Sequence, residues 1–524
     1  MGKIVLLDCT LRDGGYVNDW KFGEEAIKGV SKKIAQAGIE VFEIGFIKET
    51  EYSRDRAVFP DVDSISKMIS PKIPHMLYVG MIDMGDVVPI SKICPYDGTS
   101  IDGIRIIFKK SKIYEAFEYC KLIQELGYKL FVQFVGTDSY SDKEFIETIE
   151  LFNKLDPYAV SIVDSFGLIK RKQFLRLVYL ADNNLKPSII LGYHAHNNLQ
   201  QAFGNAEALV EMNLKRDLCI DACVFGMGRG AGNLNLELFA EYLNENFGTC
   251  YRIEPMLEIM DEYLQDIYKE RFWGYSLPFY LSATTGCHPN YAIYLAEKES
   301  LTVKSFNELL RNIPEEKKIV FSKRDAEDFY FQYQQNYIDD KEDLVELSQK
   351  MHGRMILILA PGRSLSQYEN QIMEFIKTNN PIIICTNFIS DNFGCDYVFS
   401  SNMRRYSKLS SKNDVKRIIT SNIKETNEYD YKVSYSSFSS VYSDIVDNSG
   451  IMLLKLLLEI GIRDVNIAGM DGYINEIIGN YYDKVLDYNF DNESEKRNYL
   501  ISKELKEIGK KININFITPT LYQN

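Results

Sequence analysis

Histidine and tryptophan are scarce in this chain, with five and two residues among 524. The few tryptophans say little about function, but against so few histidines a closely spaced pair stands out. No apolar run approaches the roughly 20 residues that a bilayer-spanning helix needs. The most hydrophobic helix candidate, Ile451 to Ile460, is short and carries Lys455 and Glu459, so no membrane span is expected. Positive charge is in deficit: the formal net charge is -14, which argues against a general nucleic-acid or anionic-membrane surface. Anionic small molecules remain compatible with a locally basic pocket. The nine cysteines form neither a CxxC pair nor a regular framework, and Cys219, Cys223 and Cys385 lie inside apolar runs. They read as reduced core residues of a cytoplasmic protein. Met1 to Asp8 runs straight into a strand without a signal-peptide design, which agrees with that expectation.

What is present is a regular alternation. Short apolar, largely β-branched runs predict strands at Ile4 to Asp8, Val41 to Phe46, Met76 to Ile82, Gly103 to Phe108, Leu130 to Val135, Val160 to Asp164, Ile189 to His194 and Cys219 to Phe225. Amphipathic stretches such as Glu24 to Ala37, Tyr114 to Leu126, Lys143 to Lys154 and Ala202 to Met212 predict helices between them. Eight strands alternating with helices suit a (β/α)8 TIM barrel, although an open doubly wound sheet has the same local grammar. The polar residues favour the barrel. Asp8, Arg12 and Asp13 follow the first strand, Glu43 lies in the second, Asp164 and Ser165 end the sixth, and His194 and His196 end the seventh. Only closure brings the first and last strands together.

The domains expected are a barrel over 1–248, a helical extension packed on it over 249–345, and a Rossmann-like α/β domain over 350–524. Trp273 to Tyr291 reads as a loop-rich passage. Further strands are expected at Met355 to Ala360, Ile382 to Cys385, Tyr397 to Phe399, Arg417 to Thr420, Lys432 to Tyr435, Val465 to Ala468 and Asn513 to Ile517.

The chemistry centres on Leu191-Gly-Tyr-His194-Ala-His196-Asn-Asn198. In a strand, side chains two apart share a face, so both imidazoles point to one place. In a barrel, Asp13, His194, His196 and Asn233 can converge. One carboxylate, two imidazoles and an amide oxygen suit a divalent ion acting as a Lewis acid, with manganese, magnesium, cobalt and zinc all compatible. Such an ion would be chelated by a 2-oxo acid and would favour its enolate. Arg12 would set a fixed charge beside the oxyanion, with Glu43 holding its guanidinium. The glycine-rich stretch Gly226-Met-Gly-Arg-Gly-Ala-Gly-Asn233 permits tight turns and close backbone approach.

These stretches resemble the metal-dependent aldolase and lyase superfamily that includes 4-hydroxy-2-oxovalerate aldolase, hydroxymethylglutaryl-CoA lyase and isopropylmalate synthase. The likeness to the first branch is carried by Gly192 to Leu199 and Gly226 to Asn233, and covers roughly residues 1 to 300. The resemblance implies Asp13, His194 and His196 as metal ligands with Asn233 beside them, manganese or magnesium ahead of cobalt or zinc, and Arg12 with Glu43 as the enolate-stabilising pair. It also implies Asp164 and Ser165 in the substrate pocket, a 2-oxo acid and an aldehyde as substrates, and a homodimer. One position departs from it: where that branch has a histidine base, this chain has Tyr16. The base is then expected to be Tyr16, His288 or Tyr291, with Tyr291 also placed beside the substrate. Acetyl-CoA-dependent condensation is the alternative chemistry. A barrel that has lost its activity is disfavoured, because buried charges without a ligand are costly to keep.

In the C-terminal part, Ile358 to Leu365, Val446 to Lys455 and Val465 to Tyr473 are similar to Rossmann-like domains of bacterial surface-glycan proteins. That resemblance implies a phosphorylated or nucleotide-linked ligand near Gly362 and Ser364, and a role in surface-glycan precursor synthesis. If the unit were itself a nucleotide-sugar transferase, the chain would be bifunctional.

Overall fold

The computed structural model describes every residue except 1, 319, 336–337, 410–413, 425, 476–479, 483–492 and 524. The apolar runs of the first half form β1 (Ile4–Asp8), β2 (Val41–Ile47), β3 (Val58–Phe59), β4 (Leu77–Asp83), β5 (Gly103–Phe108), β6 (Lys129–Phe134), β7 (Ala159–Asp164), β8 (Ile190–Ala195) and β9 (Leu218–Ala222). Every pairing is parallel, and β1 pairs with both β9 and β2, which closes eight strands into a barrel. The two-residue β3, unforeseen in the sequence, pairs with the carboxyl-terminal residues of β2, Phe46 and Ile47.

The pleat sorts each strand between two cores. From β1, Ile4 and Leu6 pack outward under the helices, while Val5 and Leu7 join Val41, Val79, Phe131, Ala159 and Ile190 inside the barrel. In β5, Ile104 and Ile106 face the helical layer, and in β9 Leu218 and Ile220 do the same. Arg105 and Asp221, one position out of phase with these, are therefore sent inward.

The helices begin and end where local chemistry dictates. Glu24–Ala37 stops at Gly38, whose φ of 85° is open to glycine. Asp142–Asn153 starts with a capping box in which Ser141 and Glu144 satisfy each other's backbone N–H groups. The passage read as a loop contains two helices, Leu277–Thr285 and Pro289–Glu297. Pro278 lies in the first turn of one and Pro289 begins the other, positions where the missing N–H costs nothing.

The chain divides into two units, Met1–Pro289 and Asn290–Asn524. Helix Glu254–Ile259 packs against Glu24–Ala37 in the first, where Lys33 pairs with Glu258 at 2.6 Å. Helices Val303–Asn312, Lys323–Gln334 and Lys341–Met351 belong to the second. Its sheet comprises β10 (Ile356–Leu359), β11 (Ile382–Thr386), β12 (Tyr397–Ser400), β13 (Lys416–Thr420), β14 (Tyr431–Val433), β15 (Asp464–Ala468) and β16 (Asn513–Phe516). They run parallel in the order β14-β13-β12-β11-β10-β15-β16. This arrangement is consistent with a Rossmann-like domain. Tyr435, placed in a strand by the sequence reading, instead opens the short helix Tyr435–Phe438. Among the described residues no helix is long and apolar enough to cross a membrane.

Candidate metal centre

At the carboxyl end of the barrel the chain leaves β1 in a tight turn held by side chains. Thr10 Oγ1 donates to Asp8 Oδ1 at 2.5 Å and accepts from the Val224 N–H at 2.8 Å, which ties the turn to the chain beyond β9. Burial pushes the Asp8 carboxyl up to about 7, against the two hydrogen bonds from Thr10. The turn delivers Arg12 and Asp13 to the barrel mouth, both almost fully buried.

Asp13, His194 and His196 place one ligand atom each within 4.8 Å of one another, and all three are buried. The histidines come from β8 and the residue just past it, as their spacing requires, with ring planes 89° apart. Nε2 of His194 lies 3.9 Å and Nε2 of His196 3.8 Å from Asp13 Oδ2. Those separations leave room for an ion between the three groups.

Burial alone would raise Asp13. Arg12, the two imidazoles and Asn233 outweigh it and hold the carboxyl well below the usual range, so it is an anion. Burial first, then His194, Arg229 and Arg12, lower His196 to about 3, although Asp13 pulls the other way. A neutral His196 ring keeps the lone pair that a metal needs.

Asn233 closes the site from the turn beyond β9. Its Nδ2 donates to Asp13 Oδ2 at 2.5 Å and to the Met227 carbonyl at 3.0 Å, and its backbone pairs with His196. Its Oδ1 is buried without a hydrogen-bond partner. An orphaned acceptor beside a carboxylate and two imidazoles fits a divalent cation, which would accept its unused lone pair. Gly228 makes the approach feasible, because a Cβ there would fall 2.2 Å from Asn233 Nδ2.

Below the triad runs a chain of buried charges. Arg12 donates from Nη1 to Asp13 Oδ1 at 2.5 Å and from Nε to Glu43 Oε2 at 2.7 Å. Arg105 Nη1 approaches the same Glu43 oxygen at 3.0 Å, and Nη2 pairs with Asp221 Oδ2. Asp221 Oδ2 also meets His194 Nδ1 at 3.1 Å. Three carboxylates against two guanidiniums leave one negative charge in a low-dielectric interior, a surplus that a cation would offset. The sequence reading missed Arg105 and Asp221, although charged residues inside the apolar runs Gly103–Phe108 and Leu218–Ala222 were visible signals.

Arg229, also missed, organises the mouth. Its guanidinium lies 5.0 Å from the Tyr16 ring centroid and its Nη1 donates to His288 Nε2 at 3.2 Å, so Tyr16 and His288 share one cation. Burial raises the Tyr16 phenol above its ordinary value, with Arg229 opposing. Burial and then Arg229 push His288 down to about 3. Asp164 and Ser165 are engaged by backbone N–H groups of the neighbouring loops. Asp164 accepts from the N–H groups of Leu168 and Ile169, and Ser165 Oγ accepts from the N–H of Gly136. Tyr291 belongs to the second unit, where it is fully buried beside Phe321 and its hydroxyl donates to the Val320 carbonyl. Ser364 is likewise occupied, its N–H and hydroxyl both donating to Asp471.

The barrel half of the chain has known counterparts. Residues 3–254 match the HMGL-like family model. The 4-hydroxy-2-oxovalerate aldolase of Carboxydothermus hydrogenoformans is 25% identical over 268 residues, covering 50% of this chain and 76% of that protein. The enzyme of the same name from Geobacillus genomosp. 3 is 25% identical over 272 residues, covering 50% and 77%. Among solved structures, the N-terminal domain of a Bacteroides vulgatus protein with a provisional aldolase name aligns at a TM-score of 0.47 and 24% identity, over 56% of this chain and 96% of that one. At the level of the family, the match supports a lyase or aldolase.

Proposed function

We propose that the barrel makes or breaks a carbon–carbon bond between the enolate of a pyruvate-like 2-oxo acid and an aldehyde, with a divalent ion at Asp13, His194 and His196. The observation that carries this reading is the convergence of those three ligands beside the orphaned Asn233 oxygen. When bound, the ion supplies Lewis acidity to the substrate's carbonyl and carboxylate oxygens. Manganese suits the mixed oxygen and nitrogen donors, whereas magnesium would lean on the carboxylate and amide oxygens.

The protein's own groups account for the remaining chemistry. Arg12, clamped by Glu43 and Asp13, holds a fixed positive charge where negative charge develops on the enolate oxygen. Such preorganised charge costs no rearrangement during the reaction. In the cleavage direction, the aldol hydroxyl gives its proton to His288, the bond to the enolate carbon breaks, and its electron pair moves onto the 2-oxo oxygen. His288 enters this step as a neutral ring whose basicity burial and Arg229 hold low. Tyr16 stands protonated there and donates a hydrogen bond to the aldehyde oxygen. Its high pKa makes it a donor and a poor base.

The second unit, with its parallel sheet, would bind a phosphorylated or nucleotide-linked molecule, and the pairing with a carbon–carbon lyase suits synthesis of a surface-glycan precursor by a homodimer. The test of the barrel's activity is exchange of pyruvate methyl protons for deuterium, followed by NMR, with and without added divalent ions. Metal-dependent exchange lost in Arg12→Lys supports the reading, and no exchange with any ion sinks it.

A further inference from the structure

We propose that the second unit carries a nucleotide site in a cleft at the carboxyl ends of β10, β11 and β12, with phosphate held by Lys298 and Arg405 and the nucleoside set against Tyr473 and Tyr481. This sharpens the reading of that unit as ligand-binding, moves the ligand away from Ser364, and does not depend on the barrel's chemistry.

Topology places the cleft. From β10 the chain proceeds to β11 on one side and later returns to β15 on the other, so the connections diverge at the carboxyl end of β10. Such a divergence opens a crevice in a parallel sheet. Two adjoining cavities lie there, with empty volumes of about 490 and 470 Å³, and they share Arg405, Asn448, Ser449, Tyr473 and Tyr481. Gly362 keeps one wall bare, because a Cβ would fall 2.3 Å from the Gly469 carbonyl oxygen and 2.6 Å from Asp471 Oδ2. Asn387 knits the rim together: it accepts from the N–H of Ser401 at 3.1 Å and donates to Ser449 Oγ at 2.9 Å.

Electrostatics choose the ligand. Lys298, Arg405 and Arg497 line one end of the cleft with a single carboxylate, Asp447, which accepts from the Tyr330 hydroxyl at 3.0 Å. Lys298 is 8% exposed, yet its ammonium makes no hydrogen bond or ion pair among the described residues; it lies 4.7 Å from the Tyr294 ring centroid. Burial lowers its pKa, the mark of a charge kept from water without full compensation. The 11-residue helix Ser449–Glu459 also turns its N-terminus, capped by Asn448, toward the same space. An anion is the missing partner. The adjoining cavity adds Tyr522 to the shared Tyr473 and Tyr481, an aromatic wall suited to a base, and Arg405 lies 4.8 Å from the Tyr481 ring centroid.

Isothermal titration of the full chain in chelator-treated buffer, with nucleoside mono- and diphosphates and with inorganic phosphate, tests the site. One nucleotide should bind per chain, more tightly than phosphate. Lys298→Gln and Arg405→Gln should each weaken it at least tenfold, while His194→Ala/His196→Ala leaves it unchanged. Arg405 is only half-buried, so its variant reports on binding even if Lys298→Gln fails to fold. Absence of binding by every nucleotide overturns the proposal, as does undiminished affinity in Arg405→Gln. Phosphate binding as tightly as the nucleotides removes the nucleoside from it. Loss in the histidine variant would locate the ligand in the barrel instead. Because the titration is metal-free, failure of the barrel's proposed activity leaves its result untouched.

Discussion

Asp221 Oδ2 sits 3.1 Å from Nδ1 of His194 and also takes the Arg105 guanidinium, so one buried oxygen orients a metal-site imidazole and anchors a cation across the barrel. The anion favours a proton on Nδ1 and leaves the Nε2 lone pair toward Asp13. Burial raises Asp221, and Arg105 and His194 outweigh it, so the carboxyl is held below its ordinary value.

Asp221→Asn keeps the shape but removes the charge. Divalent-ion affinity should fall by about 10- to 100-fold, as for other outer partners of metal-bound histidines, measured by competition with a chelating dye. Asp221→Ala should also lower stability by about 3–5 kcal/mol, because it leaves buried Arg105 with only the Glu43 oxygen that Arg12 already shares. Equal metal affinity in wild type and Asp221→Asn would remove the orienting role.

Arg12→Lys retains a positive charge but cannot reach Glu43 and Asp13 together. Turnover should drop by about 10²- to 10³-fold, with metal content retained, which separates loss of oxyanion stabilisation from loss of the ion. Elemental analysis beside the kinetics makes the distinction.

Tyr16→Phe and His288→Ala should differ in kind. His288→Ala should slow aldol cleavage by about 10²- to 10⁴-fold. Tyr16→Phe should mainly weaken handling of the aldehyde and leave deuterium exchange into pyruvate close to wild type. His288 is pushed down to about 3, so its protonation should produce no inflection in turnover between pH 5 and 8. Full activity in both variants would show that neither residue moves the proton.

Asp8 gives a stability signature. Its folded-state pKa, about 7, lies above an unfolded value near 3.9. Its contribution is therefore complete below the unfolded value and is lost as pH rises toward 7. Urea midpoints for the barrel between pH 4 and 8 should vary less with pH in Asp8→Asn than in wild type. Asp164, also raised to about 7 by burial, should preserve part of the slope. An unchanged slope would mean that Asp8 titrates normally.

Much of this architecture was legible in the chain because barrel strands are buried on both faces and read as unbroken apolar runs. The β1 run, Ile4 to Leu7, is an instance. His194 and His196 were legible for the complementary reason, that a period of two at a strand end assigns both to one face. Arg105 and Asp221 escaped because a charge within an apolar run usually suggests solvent, whereas closure turns that alternate face into the interior. The helices after Trp273 were obscured by Pro278 and Pro289, which punctuate a loop and begin a helix with equal ease. Arg229 was hidden in a glycine-rich turn, and only the folded chain sets it between Tyr16 and His288.

Metal content of the purified chain, measured by elemental analysis before and after dialysis against manganese or magnesium, tests the central claim most directly. Wild type should hold about one divalent ion per barrel, and His194→Ala/His196→Ala should hold none while remaining folded by circular dichroism. A wild-type barrel that takes up no divalent ion under any of these conditions, or a double variant that binds as well as wild type, would contradict it.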